Sequence, residues 1–138
     1  MTQTEAKDCN IGEGGESVAQ ANILVVEDNN LVCMTIRDIL QEEGYRVQIA
    51  ENAKQAKHVL KNEPFDLILL DMMLPDADGR KLLTQWRKEY PQTNIVIFTA
   101  HGDVSSAVEC VKQGAYDFLT KPVEKAELLT TIRNALEH

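Results

Sequence analysis

Five charged or hydroxyl-bearing side chains stand at the ends of apolar segments, where they could act together. Glu27 and Asp28 follow the first apolar run, Asp71 follows the third, Thr99 follows the fourth and Lys121 follows the fifth. Carboxylates a few ångströms apart raise one another's pKa unless a cation compensates their charge. Mg²⁺ suits such a set, because it binds a few carboxylates, keeps several waters and leaves room for a phosphate oxygen. The residue types therefore predict a divalent metal site, provided that the fold brings the segments together.

Asp71 is the best candidate for a nucleophile among these acids, because it alone ends the central, third apolar run. A carboxylate beside a metal can attack phosphorus and form an acyl phosphate. The metal and Lys121 would then neutralise the oxygens of the transferring phosphoryl group, which is most of what such catalysis requires. The Thr99 hydroxyl could hydrogen-bond an oxygen of the product. Any one of these residues alone would more often be a solvated loop residue, but the group favours a site.

Five short segments have the composition of β-strands. The first, third and fourth are continuous apolar runs, as expected of strands that are covered on both faces. The second alternates apolar and polar residues, which is typical of an edge strand, and the fifth is short. In chain order the segments are residues 23–26, 45–49, 66–70, 94–98 and 116–119.

Apolar residues at helical spacing occupy the intervals between these segments and the stretch after the last one. The predicted helices are Asn30–Glu42, 52–62 with Asn52 as N-cap, 82–90, 103–114 with Asp103 as N-cap, and 124–136. Strict alternation of strand and helix demands a parallel sheet with helices on both faces. We therefore predict an α/β fold with a doubly wound, five-stranded parallel sheet in the order 2-1-3-4-5. A crevice should lie where strands 1 and 3 leave the sheet, which is where the three carboxylates are placed.

The composition points to one acidic domain rather than a nucleic-acid-binding module. The 138 residues include 22 acidic and 14 basic side chains, for a net charge of −8, which would repel a phosphate backbone. Residues 1–21 are acidic and poor in large apolar side chains, so we expect a disordered tail before a domain over residues 22–138. No segment resembles a membrane span or a signal peptide, and the three cysteines lack metal-ligand spacing. These features favour the cytoplasm.

Four motifs, taken in order, resemble those of the receiver domain of bacterial two-component response regulators. They are LVVEDN (24–29), LLDMMLPDADG (69–79), FTA (98–100) and FLTKP (118–122). The resemblance extends from residue 22 to about residue 136, and residues 98–103 and 114–119 are most similar to NtrC-type receivers. It implies the flavodoxin-like fold of CheY and a signalling role rather than that of an enzyme. A sensor histidine kinase or a histidine phosphotransfer protein would supply the phosphoryl group.

Carried over position by position, the resemblance implies a phosphoacceptor and a metal site. Asp71 matches the residue that takes up the phosphoryl group, and Lys121 matches a lysine that contacts it. The Mg²⁺ ligands would be Asp28 directly, Glu27 through water, Asp71, and the backbone carbonyl of Met73, with Mn²⁺ able to substitute. Many members of the family have two aspartates where this chain has Glu27 and Asp28.

The resemblance also implies a switch. Thr99 and Phe118 match a pair in which the hydroxyl moves to the phosphoryl group and the aromatic ring rotates inward. This change would repack the face formed by the fourth helix, the fifth strand and the fifth helix. That face would bind an output domain such as a transcriptional regulator, a second receiver in a homodimer, or another target. The Lys121-Pro122 bond matches a cis peptide of the family.

Three other interpretations remain open at the level of sequence. A phosphatase of the haloacid-dehalogenase type also uses an aspartyl nucleophile and Mg²⁺, but it needs an acid two residues further on, where Met73 stands. A flavodoxin-like FMN carrier needs hydroxyl and amide N–H groups after the first strand, whereas residues 27–30 present negative charge. A cofactor-free interaction module would make the acids incidental and predicts no response to Mg²⁺.

Overall fold

The computed structural model describes residues 21–100 and 104–137, within which five strands alternate with five helices. The strands are β1 (Asn22–Val26), β2 (Arg46–Ala50), β3 (Leu67–Asp71), β4 (Asn94–Thr99) and β5 (Asp117–Thr120). The helices are α1 (Asn30–Glu42), α2 (Ala53–Asn62), α3 (Gly79–Glu89), α4 (Val104–Lys112) and α5 (Lys125–Glu137). The predicted tail (apart from residue 21), the predicted N-cap Asp103 and residue 138 lie outside the described residues.

The strands form one parallel sheet in the order β2-β1-β3-β4-β5, which confirms the predicted order. Every residue of β3 is buried, and β1 and β4 are buried beyond their first residue. β2 instead alternates exposed and part-buried residues up to its last position. The difference arises because helices cover both faces of an inner strand of a parallel sheet, while an edge strand stays partly open.

Apolar side chains form one core cluster on each face of the sheet. Successive residues of β1 alternate between the clusters, with Leu24 in one and Val25 in the other, because side chains of a strand point to opposite faces in turn. α1 and α5 cover one face through Ile36, Leu40, Leu128 and Ile132. α2, α3 and α4 cover the other face through Ala56, Leu60, Leu83, Trp86 and Cys110. Trp86 is fully buried.

The strands that carry candidate site residues have those residues at their ends, as predicted. Asp71 pairs with Phe98 as the last residue of β3, and Thr99 pairs with Thr120 as the last residue of β4. A polar side chain at a strand end leaves the backbone pairing intact. Both side chains are therefore positioned by the sheet itself. At the other end of the sheet, the carbonyl of Ala21, in the predicted tail, accepts a hydrogen bond from the β2 backbone.

Short polar side chains define the starts of three helices. Asn29, Asn52 and Asp78 each accept a hydrogen bond from an amide N–H in the first turn of the following helix, at 3.1, 2.8 and 2.9 Å. Such N-caps satisfy N–H groups that have no partner within the helix. The cap at Asn52 confirms the prediction for α2. The cap at Asp78 starts α3 at Gly79, three residues before the predicted start.

Candidate functional site

Three carboxylates meet where β1 and β3 leave the sheet. Glu27 directly follows β1, and its backbone N–H donates to the carbonyl of Ala50 at the end of β2. Asp71 is the last residue of β3, and both side chains are buried, whereas Asp28 is exposed. One carboxylate oxygen from each of Glu27, Asp28 and Asp71 lies within 4.8 Å of the other two. The predicted convergence of these acids is confirmed.

Lys121 supplies a positive charge inside this group. Its Nζ lies 2.7 Å from Oε1 of Glu27 and 3.4 Å from Oδ2 of Asp71. The backbone of Lys121 is fixed beside the site, because its N–H donates to the carbonyl of Thr99 at 2.9 Å. The sequence predicted that Lys121 would lie near Asp71. It did not predict that the shorter contact is to Glu27.

Burial and charge set the protonation of this pair. Burial is the largest effect on Glu27 and raises its pKa, while the hydrogen bond with Lys121 opposes the rise. Burial lowers the pKa of Lys121, but the hydrogen bond with Glu27 and the charge of Asp71 outweigh it, so the pKa lies above its ordinary value. The lysine therefore stays charged at neutral pH and compensates two buried acids.

The donor set around Glu27 consists of hard oxygens. Oε2 of Glu27 accepts from the N–H of Asn29 at 3.1 Å, and the Cys33 thiol donates to the Glu27 carbonyl at 3.2 Å. Burial, helped by the charge of Glu27, raises the pKa of Cys33 to about 11. Cys33 thus remains a protonated thiol at neutral pH and offers no thiolate to a soft metal. Carboxylate and carbonyl oxygens remain as ligands, which fits Mg²⁺ or Mn²⁺.

The loop after β3 approaches its own strand closely. Oδ1 of Asp71 accepts from the N–H of Met73 at 3.1 Å, and Gly79 N–H donates to the carbonyl of Met72 at 2.9 Å. A Cβ atom at Gly79 would lie 2.6 Å from Cα of Met72 and 2.8 Å from the carbonyl oxygen of Asp71. Position 79 therefore requires glycine. Sequence reasoning assigned no role to Gly79, and its place in the motif after Asp78 was the available signal.

The predicted switch residues lie on neighbouring strands. Thr99 is 1% exposed at the end of β4, and its hydroxyl donates to the carbonyl of Ala100 at 3.4 Å. Phe118, on β5, is partly buried against the core cluster that α2, α3 and α4 share. Since β4 lies between β3 and β5, Thr99 stands one strand away from Asp71 and one strand away from Phe118. The Lys121-Pro122 peptide bond is cis, as predicted.

Known proteins match both the sequence and the fold. The response regulator receiver domain family matches residues 23–133. Over 121 residues the chain is 38% identical to the alginate biosynthesis transcriptional regulatory protein AlgB of Pseudomonas aeruginosa, covering 88% of this chain and 27% of AlgB. Over 119 residues it is 34% identical to the DNA-binding transcriptional regulator NtrC of Proteus hauseri, covering 86% of this chain and 25% of NtrC. The crystal structure of a CheY-like response regulator receiver domain protein from Methanospirillum hungatei superposes with a TM-score of 0.80 at 32% identity, covering 86% of this chain and 94% of that one.

The sheet, the acidic group and these matches define a receiver domain. The chain belongs to the response regulator receiver domain family of two-component systems, and it is a signalling domain with relatives among NtrC-type transcriptional regulators. It spans about a quarter of the length of these curated relatives. Among the described residues, no helix combines the length and the apolar character needed to cross a membrane.

Proposed function

We propose that Asp71 accepts a phosphoryl group from a phosphohistidine of a sensor histidine kinase or a histidine phosphotransfer protein in the bacterial cytoplasm. The observation that carries this proposal is the grouping of Glu27, Asp28 and Asp71 within 4.8 Å, with Lys121 between the two buried acids. An acid that only capped a loop would not need a partly buried lysine beside it.

A divalent cation fits the residues present. The carboxylates of Glu27, Asp28 and Asp71 and the backbone carbonyl of Met73 would hold Mg²⁺, with Mn²⁺ able to replace it. When bound, the cation would neutralise charge on the oxygens of the transferring phosphoryl group. The support from this chain is its all-oxygen donor set and the protonated state of the Cys33 thiol beside it.

The chain's own residues would position and neutralise the reacting groups. A bond forms between a carboxylate oxygen of Asp71 and phosphorus, while the phosphorus–nitrogen bond to the donor imidazole breaks and its electron pair leaves with the imidazole. The strand end fixes Asp71, and its Oδ1 is oriented by the Met73 N–H at 3.1 Å. Lys121, held by the Thr99 carbonyl, would shift from the Glu27 carboxylate toward phosphoryl oxygens. The domain would assist its own phosphorylation and the later hydrolysis, and no other reaction.

The phosphoryl group would then bias two conformations through Thr99 and Phe118. Support comes from the positions of these residues on β4 and β5, the strand next to Asp71 and the strand beyond it, both of which contact α4. We propose that the face formed by α4, β5 and α5 changes its packing and binds an output domain, a second receiver or another target. The names of AlgB and NtrC, both transcriptional regulators, favour control of transcription.

Intact mass after incubation with acetyl phosphate tests the proposal. We expect the mass of one phosphoryl group to be added when Mg²⁺ is present, and no addition in EDTA. Asp71→Asn preserves shape and removes the nucleophile, so it should stay unlabelled. Asp38→Asn is the matched control, because Asp38 is an exposed acid on α1; it should label as the wild type does. Equal labelling of wild type and Asp71→Asn would contradict the proposal.

A further inference from the structure

Asp76 joins two segments that the proposed mechanism treats as separate. It lies in the loop between β3 and α3, five residues after Asp71. Its Oδ1 accepts from the N–H of Ala53 at 2.9 Å, and its Oδ2 accepts from the N–H of Lys54 at 3.1 Å. One carboxylate therefore satisfies two amide groups of a helix that precedes it by more than twenty residues in sequence.

The contact completes the first turn of α2. The N–H of Gln55 is already satisfied by the N-cap Asn52, at 2.8 Å. The two preceding N–H groups would lack a partner within the helix, and the partial positive charge of the helix N-terminus favours an anion there. Hydrogen bonding from Ala53 is the largest effect on Asp76 and lowers its pKa. The carboxylate is thus ionised, and both oxygens are acceptors, at neutral pH.

The same contact fixes the loop that carries Met73. The base of the loop is closed by an antiparallel bridge between Met73 and Asp78. Leu74 and Ala77 are partly buried against the core cluster that also contains Ala53. Asp76 adds a polar tether at the tip of the loop, so the segment from Met73 to Asp78 is held at its base, along its apolar side and at its tip.

We propose that Asp76 is a positioning residue for the site around Asp71, because its bonds to α2 fix the loop that places the Met73 backbone carbonyl. This inference rests on the proposed function, which makes that carbonyl a metal ligand. Asp76 itself touches neither metal nor phosphoryl group. It acts through the loop, by holding one ligand in place before the cation binds.

Three variants at the same helix terminus separate this role from simple capping. Asp76→Ala removes both bonds of the tether, while Asp76→Asn keeps one acceptor oxygen and replaces the other with a donor. Asn52→Ala removes the bond to Gln55 N–H and leaves the tether intact. All three changes weaken the N-terminus of α2, but the two changes at Asp76 also release the loop.

The measurements are the dissociation constant for Mg²⁺ by calorimetry and the exchange rate of the Met73 amide hydrogen by NMR, each on the whole chain. We expect Asp76→Ala to weaken Mg²⁺ binding about fivefold, less than the loss of a residue that contacts a ligand directly. Asp76→Asn should weaken it by a smaller factor, and Asn52→Ala should change it less than about twofold while lowering stability comparably. Met73 exchange should accelerate in both Asp76 variants and stay unchanged in Asn52→Ala.

The outcomes distinguish this inference from the proposed function. If the wild type binds Mg²⁺ and takes up the phosphoryl group, but Asp76→Ala binds Mg²⁺ as tightly, the positioning role is wrong and the proposed function stands. Equal weakening in Asn52→Ala and Asp76→Ala would reduce Asp76 to a helix cap and overturn the inference as well. Failure of the wild type to bind Mg²⁺ or to be labelled would overturn both proposals.

Discussion

The two ends of the sheet use polar side chains in different ways. At the amino end, the Asp66 carboxylate accepts from the N–H of Asn22 at 2.8 Å, and the buried Thr93 hydroxyl donates to the carbonyl of Phe65 at 2.9 Å. Each of these side chains forms a hydrogen bond with a backbone group that has no partner within the sheet. Such bonds stabilise the fold, because an unpaired buried polar group is costly.

At the carboxyl end, charged side chains bond to one another. Glu27 and Asp71 are buried around Lys121, although burying charges costs more than burying neutral groups. The amino end thus uses polar groups to stabilise the fold, whereas the carboxyl end holds charged groups where the proposed cation and phosphoryl group would bind. Substitutions at the carboxyl end should therefore change both stability and phosphorylation, while substitutions at the amino end should change stability alone.

The largest effect is expected on removal of the partly buried lysine that pairs with two buried acids. Lys121→Ala leaves the fully buried Glu27 carboxylate without its 2.7 Å partner and should lower the free energy of unfolding by about 3 kcal/mol. Lys125→Ala is the control, since Lys125 pairs with Glu42 at 3.6 Å and both side chains are more than half exposed; it should cost less than about 0.5 kcal/mol. Urea unfolding measures both values. Similar losses of unfolding free energy in the two variants would contradict the difference between the charges around the buried acids and an exposed surface pair.

A second contrast uses two glycines at opposite ends of the molecule. Gly79→Ala would force a Cβ to within 2.6 Å of the Met72 backbone, and we expect a loss of about 3 kcal/mol together with slower phosphorylation. Gly114, which precedes β5, has a φ of 122° and a flexible Arg87 side chain as its neighbour. Gly114→Ala should cost about 1–2 kcal/mol and leave the phosphorylation rate of the folded protein unchanged. A slowed rate in Gly114→Ala would contradict this separation.

The Cys33 thiol, at the carboxyl end of the sheet, should make the free energy of unfolding depend on pH. Its pKa rises from 9.0 to about 11 on folding, so the thiol is neutral in both states below pH 9. Between these values the thiol ionises in the unfolded chain first, and the folded state loses stability as the pH rises, by roughly 3 kcal/mol once the pH is well above 11. The unfolding free energy of wild type minus that of Cys33→Ala should fall by about 2 kcal/mol between pH 8 and pH 11. A difference that stays constant with pH would contradict the buried environment assigned to Cys33.

The smallest effect is expected at the amino end. The Asn94 side chain donates to the carbonyl of Ala135 near the end of α5, at 2.6 Å. Asn94→Ala should lower the free energy of unfolding by about 1 kcal/mol, the usual contribution of one such bond, with labelling by acetyl phosphate unchanged. Reduced labelling in this variant would show that the two ends are coupled.

The sequence was sufficient to predict the strand order and the convergence of the three acids. Apolar runs and their alternation with helices determine a parallel sheet, and the carboxyl ends of its inner strands must meet. The placement of Asp71 and Thr99 at the ends of β3 and β4 is confirmed as well, because each residue directly follows the apolar run of its strand.

Contacts between distant segments were not predictable from the sequence in the same way. The sequence places Asp76 in the loop after the third strand and does not indicate that it bonds to the start of α2, which precedes that strand. The short contact between Lys121 and Glu27 likewise depends on side-chain directions that spacing does not reveal. The need for glycine at position 79 comes from the approach of α3 to the Asp71–Met72 backbone, which exists only in the folded chain.

The most direct test of the central claim is to locate the phosphoryl group after labelling with acetyl phosphate and Mg²⁺. Borohydride reduces an acyl phosphate to an alcohol, so the modified aspartate becomes homoserine and tandem mass spectrometry of the peptides identifies its position. We predict homoserine at position 71, with Glu27 and Asp28 unchanged. Reduction at another acid, or none in a sample shown to be folded and labelled, would contradict the assignment of Asp71 as phosphoacceptor.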